Sequence, residues 1–279
     1  MKIIFPELDS NKIAYQATTH FPDIEFLPAA SLDSAAELLA HGQADSMISG
    51  LDYPSREVVI AFKSHLPLKS KYFSSSFIAE RTEKDGQRTH FLLADGGINK
   101  SPTEDQFLTI IEDSAITFAN YYQERPKIAL LSYSTYGSGG KNPDLAKFHF
   151  AIENIKSRHP DWLIDGEMQL DAAMNPEVAA KKTPLSPIRG AANVLIVPNL
   201  NSGNILYKSL ERFGGFTIAG PLIQGFGHPI LPENSPTKYP AASEDLAPLP
   251  LADLSRGSTL EDVIFTIQII KTLYERNNL

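Results

Sequence analysis

The sequence predicts an α/β fold, because short apolar runs alternate along the chain with amphipathic helical patterns. Two runs, KIALLS at 127–132 and AANVLIV at 191–197, have the length and apolar character of buried strands. Helical patterns are equally clear at 107–118 and 259–274, where apolar residues recur every three to four positions.

The remaining elements follow from local chemistry. A helix is predicted after Ser31, because serine is a favourable N-cap residue. A second is predicted after Pro102, because proline is favourable in a first helical turn, and a third at 148–155. Residues 229–250 are rich in proline and show no helical or strand periodicity, so we predict an extended surface loop there. The segment 231–252 is predicted to be an ordered loop or a partner contact rather than part of the core. Further strands are predicted at 2–5, 45–49, 72–80 and 89–94.

Composition narrows the classes of function. The 279 residues are 42% hydrophobic and carry a formal net charge of −8, which disfavours nucleic acid or an anionic membrane as the main partner. The absence of cysteine excludes disulfides, thiol nucleophiles and thiolate metal sites. No apolar run approaches the roughly 18 residues of a membrane span, and the first residues do not form a signal peptide. These features favour a cytoplasmic protein.

The segment SRGSTLEDV near the end of the chain combines anion-binding and proton-accepting groups. Ser258 and Glu261 have the spacing of a capping box, which predicts a helix start there. Ser255 and Arg256 then lie just before a helix N-terminus, where free amides and a guanidinium suit an anion, and Asp262 lies within the first turn. The alternative is an ordinary capped surface helix with a solvated arginine.

A polar, glycine-rich loop at 132–140 follows the predicted strand 127–132. Its hydroxyls and flexible backbone suit phosphate binding at the carboxyl edge of a sheet. It matches neither the Walker A pattern nor the dinucleotide fingerprint, because Asn142 breaks both. A mobile surface loop is the alternative.

Two further motifs are weaker. The carboxylates of DGEMQLDAA at 165–173 could bind a metal or could serve ordinary packing, and the seven histidines lack metal-ligand spacing, so no metal site is predicted. The polar segment PNLNSGNILYK at 198–208 follows the predicted strand 191–197 and again suits the carboxyl edge of a sheet.

In this order, the motifs resemble the phosphate acetyl/butyryltransferase family. The resemblance also covers MISG at 47–50, FLLADGGINKSPTEDQ at 91–106 and AGPLIQGFGHPI at 219–230. It implies an isocitrate/isopropylmalate dehydrogenase-like fold of two α/β domains with a cleft between them. The first domain would comprise 1–66 and 225–279 and carry the catalytic loop, and the second, 67–224, would form a homodimer.

The resemblance implies transfer of an acetyl or other short acyl group between coenzyme A and inorganic phosphate, with no bound cofactor. Acyl-CoA, phosphate and acyl phosphate would be the small-molecule substrates. Asp262 would take the thiol proton, Arg256 would hold phosphate or the oxyanion, and Ser255 would hydrogen-bond the reacting centre. Candidate substrate-binding residues in the quoted motifs are Ser134, Thr135, Gly137, Ser138, Asn204, Tyr207, Lys208 and Gln224.

The sequence also departs from the family pattern. Ile60 stands where a second substrate arginine is expected, with Arg56 one helical turn earlier, and Tyr136 and His228 occupy positions usually held by lysine. A stretch between Leu39 and Asp45 is shorter than in the family. These departures keep open a non-catalytic or altered-substrate paralogue that binds coenzyme A or a protein partner. A metal-dependent dehydrogenase of the same fold is a third alternative.

Overall fold

A computed structural model of the chain describes residues 1–140, 145–228 and 246–277. The chain divides into two compact units, Met1–Phe73 with Thr217–Leu279, and Ser74–Phe216. Each unit combines strands and helices, so the predicted α/β class is confirmed. The predicted roles of the two domains in catalysis and dimerisation stay predictions.

In the part of the first unit that the structure describes, five strands lie in the order β2-β1-β3-β10-β9. All neighbours are parallel except β9 and β10, which are antiparallel. Ile3, Ile4, Met47 and Ile48 are fully buried, as expected for central strands covered by helices on both faces. In chain order the elements are β1 (Lys2–Ile4), α1 (Lys12–Thr18), β2 (Glu25–Leu27), α2 (Leu32–Ala40), β3 (Ser46–Ser49), α3 (Ser55–His65), β9 (Thr217–Gln224), β10 (Leu251–Asp253) and α9 (Leu260–Asn277).

The predicted surface loop is wrong where the structure describes it. Leu251–Asp253 is a buried strand between β3 and β9, and Leu246 and Leu249 are also buried. The flanking Pro248 and Pro250 make this segment look like a loop in the sequence. Proline at the start of a strand nevertheless permits pairing from the next residue onward. Residues 229–245 lie outside the described residues.

Among the described residues, the second unit also contains five strands, in the order β4-β5-β8-β6-β7. In this order β4 and β5 are antiparallel and the later neighbours are parallel, so β5, β8, β6 and β7 end at one common carboxyl edge. The helix predicted after Pro102 is present as α4, but its N-cap is Thr103, which forms a capping box with Gln106, so Pro102 lies before the helix and not in its first turn. In chain order the elements are β4 (Ser74–Thr82), β5 (Arg88–Ala94), α4 (Glu104–Tyr122), β6 (Lys127–Leu131), α5 (Ala146–Arg158), β7 (Leu163–Met168), α6 (Leu170–Met174), α7 (Pro176–Lys182), β8 (Val194–Ile196) and α8 (Leu200–Gly214).

The predicted strands at 2–5, 45–49, 72–80, 89–94, 127–132 and 191–197 are therefore confirmed to within a few residues. Ser31 caps α2 through its hydroxyl, also as predicted. Among the helices of the described ranges, none has the length and hydropathy needed to cross a membrane.

Candidate active site

Ser255 and Arg256 lie in a tight turn directly after β10. The Ser255 hydroxyl accepts a hydrogen bond from the Gly257 amide at 3.2 Å, and its carbonyl accepts one from the Ser258 amide at 2.9 Å. The Arg256 side chain is exposed and forms no ion pair with any residue that the structure describes. The turn therefore presents a guanidinium to solvent at the carboxyl edge of the first unit's sheet.

The helix start differs from the prediction by one residue. Thr259, not Ser258, is the N-cap: its Oγ1 accepts a bond from the Asp262 amide at 3.3 Å, and its own amide donates to Asp262 Oδ2 at 2.8 Å. The predicted capping box of Ser258 and Glu261 is therefore wrong. In GSTLED, the pairs Ser258–Glu261 and Thr259–Asp262 both have the spacing of a capping box. The Ser258 amide already donates to the Ser255 carbonyl within the turn, and Thr259 caps the helix instead.

Asp262 is buried to 9% exposure, and only one of its oxygens is fully engaged. Oδ2 accepts bonds from the amide and hydroxyl of Thr259, both at 2.8 Å. No described residue donates to Oδ1, and this atom is not among the fully buried polar atoms. Asp262 is thus held rigidly by one oxygen while the other can accept a proton.

Backbone amides complete the anion-binding features of this segment. Within the described ranges, the amides of Arg256, Leu260 and Glu261 donate to no protein acceptor. The last two belong to the first turn of α9, an 18-residue helix whose dipole favours negative charge at this end. The arrangement joins anion donors and a proton acceptor within eight residues.

Gln224 does not lie at the carboxyl end of β10, where Ser255 and Arg256 are. The antiparallel register pairs Leu222 with Ala252 and Ile223 with Leu251, which sets Gln224 beside the start of β10. Ser255 follows the other end of that strand. The structure therefore does not bring Gln224 to the Ser255 turn.

In the second unit, the predicted loop lies at the carboxyl edge of β6, but its amides are already used. Every amide from 134 to 140 donates to an acceptor within the protein. Two of these acceptors are buried side chains: Glu167 accepts from Gly137 at 2.7 Å, and Ser134 accepts from Gly139 at 3.0 Å. The expectation that this backbone cradles phosphate is wrong for this conformation, so any substrate contact would come from side chains.

Glu167 organises that loop from inside the protein. It is 2% exposed, accepts a bond from the Ser134 hydroxyl at 2.9 Å, and lies 3.5 Å from His149 Nε2. Thr135 Oγ1 accepts a bond from the Gln169 amide, and the Thr135 amide donates to the hydroxyl oxygen of the exposed Ser138. The buried carboxylate thus explains the loop shape better than a bound ligand does.

Asp165 has a similar structural role, because its carboxylate accepts a bond from the Tyr136 hydroxyl at 2.5 Å. Burial, reinforced by that carboxylate, raises the pKa of Tyr136. Asp171, the third carboxylate of the motif 165–173, is exposed and forms an ion pair with Lys182 at 2.7 Å. Among the described residues, no group of three potential metal ligands occurs.

The candidate residues of α8 follow β8 at the same carboxyl edge. Tyr207 is 8% exposed and stacks on Phe77 with ring centroids 4.1 Å apart, so its ring is part of the core. Lys208 is exposed, with Nζ 4.8 Å from the centre of the Tyr207 ring, and Asn204 is half-buried one turn earlier. Lys208 is the charged residue among these three, and its side chain is exposed to solvent.

Sequence reasoning missed the roles of several buried acids. Asp95 accepts bonds from the amides of Gly97, Ile98 and Asn99 and so fixes the turn after β5. Glu7 and Asp253 are both 1% exposed at the carboxyl edge of the first unit's sheet. An acid inside an apolar strand, as in PLPLADL, is the signal that could have singled out Asp253.

A cavity of about 580 Å³ lies at the amino ends of β1 and β3, lined in part by Lys2, Gln43 and Asp45. Because these strands are parallel to β10, the cavity lies at the edge opposite Ser255. It is not part of the candidate site.

Comparisons with known proteins agree with the motifs. Residues 25–234 match the family described as phosphate acetyl/butaryl transferase. A phosphate acetyltransferase of Treponema pallidum is 34% identical over 249 residues, covering 87% of this chain and 67% of that protein. One from Bacillus subtilis is 35% identical over 228 residues, covering 81% of this chain and 62% of that protein. The chain thus spans about two thirds of the length of these curated relatives.

A solved structure of a phosphotransacetylase from Streptococcus pyogenes has a TM-score of 0.79 at 27% identity. The match covers 100% of this chain and 94% of that one. By sequence and fold, the chain belongs to the phosphate acetyl/butyryltransferase family of acyltransferases.

Proposed function

We propose that this protein is a phosphate acyltransferase that moves an acetyl or other short acyl group between coenzyme A and inorganic phosphate. The observation that carries the proposal is the free Oδ1 of Asp262 beside the turn of Ser255 and Arg256. The names of the relatives, phosphate acetyltransferase and phosphotransacetylase, support the same reaction.

In the proposed reaction, Asp262 Oδ1 takes the proton from the coenzyme A thiol. A thiol with a pKa of about 8.5 is mostly protonated at neutral pH, so a positioned base increases the thiolate fraction at the moment of attack. The sulfur then forms a bond to the carbonyl carbon of acyl phosphate, and the bond from that carbon to the phosphate oxygen breaks. Thioester and phosphate are the products.

Arg256, Ser255 and the free amides act on the oxygen atoms. The guanidinium binds the phosphate dianion, and the amides of the helix N-terminus add donors for negative charge. The Ser255 hydroxyl donates to the oxyanion that develops on the carbonyl carbon, where fixed donors stabilise charge most effectively. The side chains of Ser134, Thr135, Ser138, Asn204 and Lys208 are the further candidates for holding coenzyme A.

The test is phosphate-dependent loss of acetyl-CoA by the purified chain, with propionyl- and butyryl-CoA alongside. Arsenate in place of phosphate pulls the reaction forward and excludes simple thioester hydrolysis when a phosphate-free control is included. Arg256→Gln should raise the KM for phosphate with coenzyme A affinity less affected, and Ser255→Ala should lower kcat more than binding. Coenzyme A binding without transfer of any of these groups would refute the proposal.

One observation favours the alternative of an altered-substrate or non-catalytic paralogue. Ile60, at the position expected to supply a substrate arginine, is an exposed apolar side chain on α3. A missing charge-assisted contact to phosphate costs about 1.5–3 kcal/mol, or roughly 10- to 100-fold in affinity. Ile60→Arg should therefore lower the phosphate KM, whereas Ile60→Gln, of similar length without charge, should not. Absence of phosphate-dependent transfer in the wild type and in both variants would favour the non-catalytic paralogue.

We further expect a cytoplasmic homodimer that needs no metal or bound cofactor. Large apolar side chains of the second unit are exposed, among them Ile205 at 67%, Phe213 at 91% and Leu185 at 93%. Exposed apolar side chains of this size favour burial against another chain. Light scattering should give twice the chain mass for the wild type, and Phe213→Glu should shift it toward the monomer.

A further inference from the structure

Two buried carboxylates, those of Glu7 and Asp253, lie at the carboxyl edge that precedes the Ser255 turn, and three of their four oxygens have no hydrogen-bond partner among the described residues. Glu7 Oε1 accepts bonds from the Gly50 amide at 2.7 Å and the Ser49 hydroxyl at 3.1 Å. Glu7 Oε2 and both oxygens of Asp253 are buried without a hydrogen-bond partner in the described chain. Because buried acceptors are almost always satisfied, this cluster lacks at least one hydrogen.

The cluster is joined directly to the candidate catalytic turn. Asp253 is the last residue of β10, and the next residue, Leu254, donates its amide to Ser49 O at 2.6 Å. A Cβ atom at Gly50, where φ is +111°, would lie 2.5 Å from Asp253 Oδ1 and 2.4 Å from Leu254 O. The end of β3 is therefore packed tightly against the residues that lead into Ser255, and a change in the charge of the cluster acts on that turn.

In the described ranges, no lysine, arginine or histidine forms an ion pair with Glu7 or Asp253. The Asp52 backbone contacts Glu7, while the exposed Asp52 side chain accepts a bond from Asn11 Nδ2 at 2.9 Å. None of the remaining charged residues on the surrounding elements forms an ion pair with either acid in the described ranges. These residues are Lys12 on α1, Arg56 and Glu57 on α3, Arg256 in the turn and Asp262 on α9.

We propose that Glu7 and Asp253 share one proton near neutral pH, and that this singly charged pair positions the turn carrying Ser255 and Arg256. The shared hydrogen turns one buried acceptor into a donor and leaves a single negative charge, which the Ser49 hydroxyl and the Gly50 amide already stabilise. Both acids are positioning residues, because neither is argued to touch substrate. The catalytic consequence rests on the proposed function, but the shared proton does not.

The direction of the pH effect follows from burial. Burial raises the pKa of Asp253 to about 7; the Ser55 side chain opposes this shift, and the negative charge of Glu7 adds to it to a smaller extent. Burial raises the pKa of Glu7 as well. The proton is therefore present below about pH 7 and lost above it, so the turn is held at lower pH and loosens as the pH rises.

Hydrogen exchange of a peptide spanning 254–259 tests this inference. After correction for intrinsic exchange, the wild type should show faster exchange as the pH rises from about 4 to 7, by up to about tenfold per pH unit for the loss of one proton, and no further rise above that range. Asp253→Asn and Glu7→Gln each fix the pair at one negative charge and supply an amide donor, so exchange in either variant should stay flat. Asp9→Asn, an exposed acid in the same unit, should keep the wild-type response.

Flat exchange in the wild type, or a rise that persists in both Asp253→Asn and Glu7→Gln, would overturn the shared proton. Because both Asp253→Asn and Glu7→Gln are measured, the test can still be carried out if one of these variants fails to fold. Acyl transfer is a separate readout: a wild type without transfer but with the expected exchange pattern would refute the proposed function and leave the positioning pair supported. In an active enzyme, kcat of the wild type should fall above pH 7 more steeply than that of Asp253→Asn.

Discussion

Asp262→Asn tests the proposed proton transfer, because it removes a charge and a basic oxygen while leaving the shape of the side chain almost unchanged. The amide oxygen of Asn can accept the two bonds at 2.8 Å that Thr259 donates to Asp262 Oδ2. The lost charge at the helix N-terminus costs about 0.3–1 kcal/mol. We therefore expect the free energy of unfolding in urea to fall by about 1 kcal/mol or less, and turnover to fall by roughly 10²- to 10⁴-fold.

Thr259→Ala and Ser258→Ala are the matched controls. The first removes the N-cap and should cost about 1 kcal/mol of stability, with a smaller loss of turnover than Asp262→Asn. The second should leave stability nearly unchanged, because the Ser258 side chain does not cap α9. Turnover is measured at saturating coenzyme A and acyl phosphate, well below the unfolding temperature of each variant. Equal losses of turnover in Thr259→Ala and Asp262→Asn would assign the effect to the helix start and refute the role of Asp262 as base.

Three further predictions concern stability. Glu167→Ala removes the acceptor of the Ser134 and Gly137 bonds and should lower the free energy of unfolding by about 2–4 kcal/mol, whereas Glu167→Gln should cost less in the same urea titration. Gly203→Ala should lower the thermal midpoint despite the better helix propensity of alanine, because its Cβ would lie 2.4 Å from Asp95 O; a raised midpoint would contradict this. Since the pKa of Asp253 rises from 3.8 to about 7 on folding, the stability that its proton contributes is complete below about pH 4 and lost by about pH 7. Urea titrations across that range should show a fall of about 4 kcal/mol from this group, which Asp253→Asn should abolish.

Local chemistry predicted most of the fold. Apolar runs predicted β1, β3, β4, β5, β6 and β8, and the Ser31 hydroxyl predicted the start of α2, because strand burial and capping depend on residues near in sequence. The same reasoning could not choose between Ser258 and Thr259. That choice depends on which amide is already hydrogen-bonded in the preceding turn, and this is a property of the folded backbone.

Long-range contacts explain what the sequence could not supply. Glu7 meets Ser49 across 42 positions, and Glu167 meets Ser134 across 33, so no local pattern indicates either contact. Strand β10 was hidden because its stability comes from pairing with β3 and β9, not from its own composition. The order of motifs identified the family, but the occupied amides of the loop at 134–140 emerged only from the structure.

The position of β10 has a consequence for the order of assembly during synthesis. The second unit is one continuous stretch, Ser74–Phe216, and its chain is complete well before Leu251 is translated. The first unit must wait, because β10 fills the middle of its sheet, between β3 and β9. Until then β3 exposes an unpaired edge, a surface prone to mispairing with other chains. The strand that leads into Ser255 thus completes the pairing of β3 and β9, and the candidate active site forms only after β10 has been synthesised.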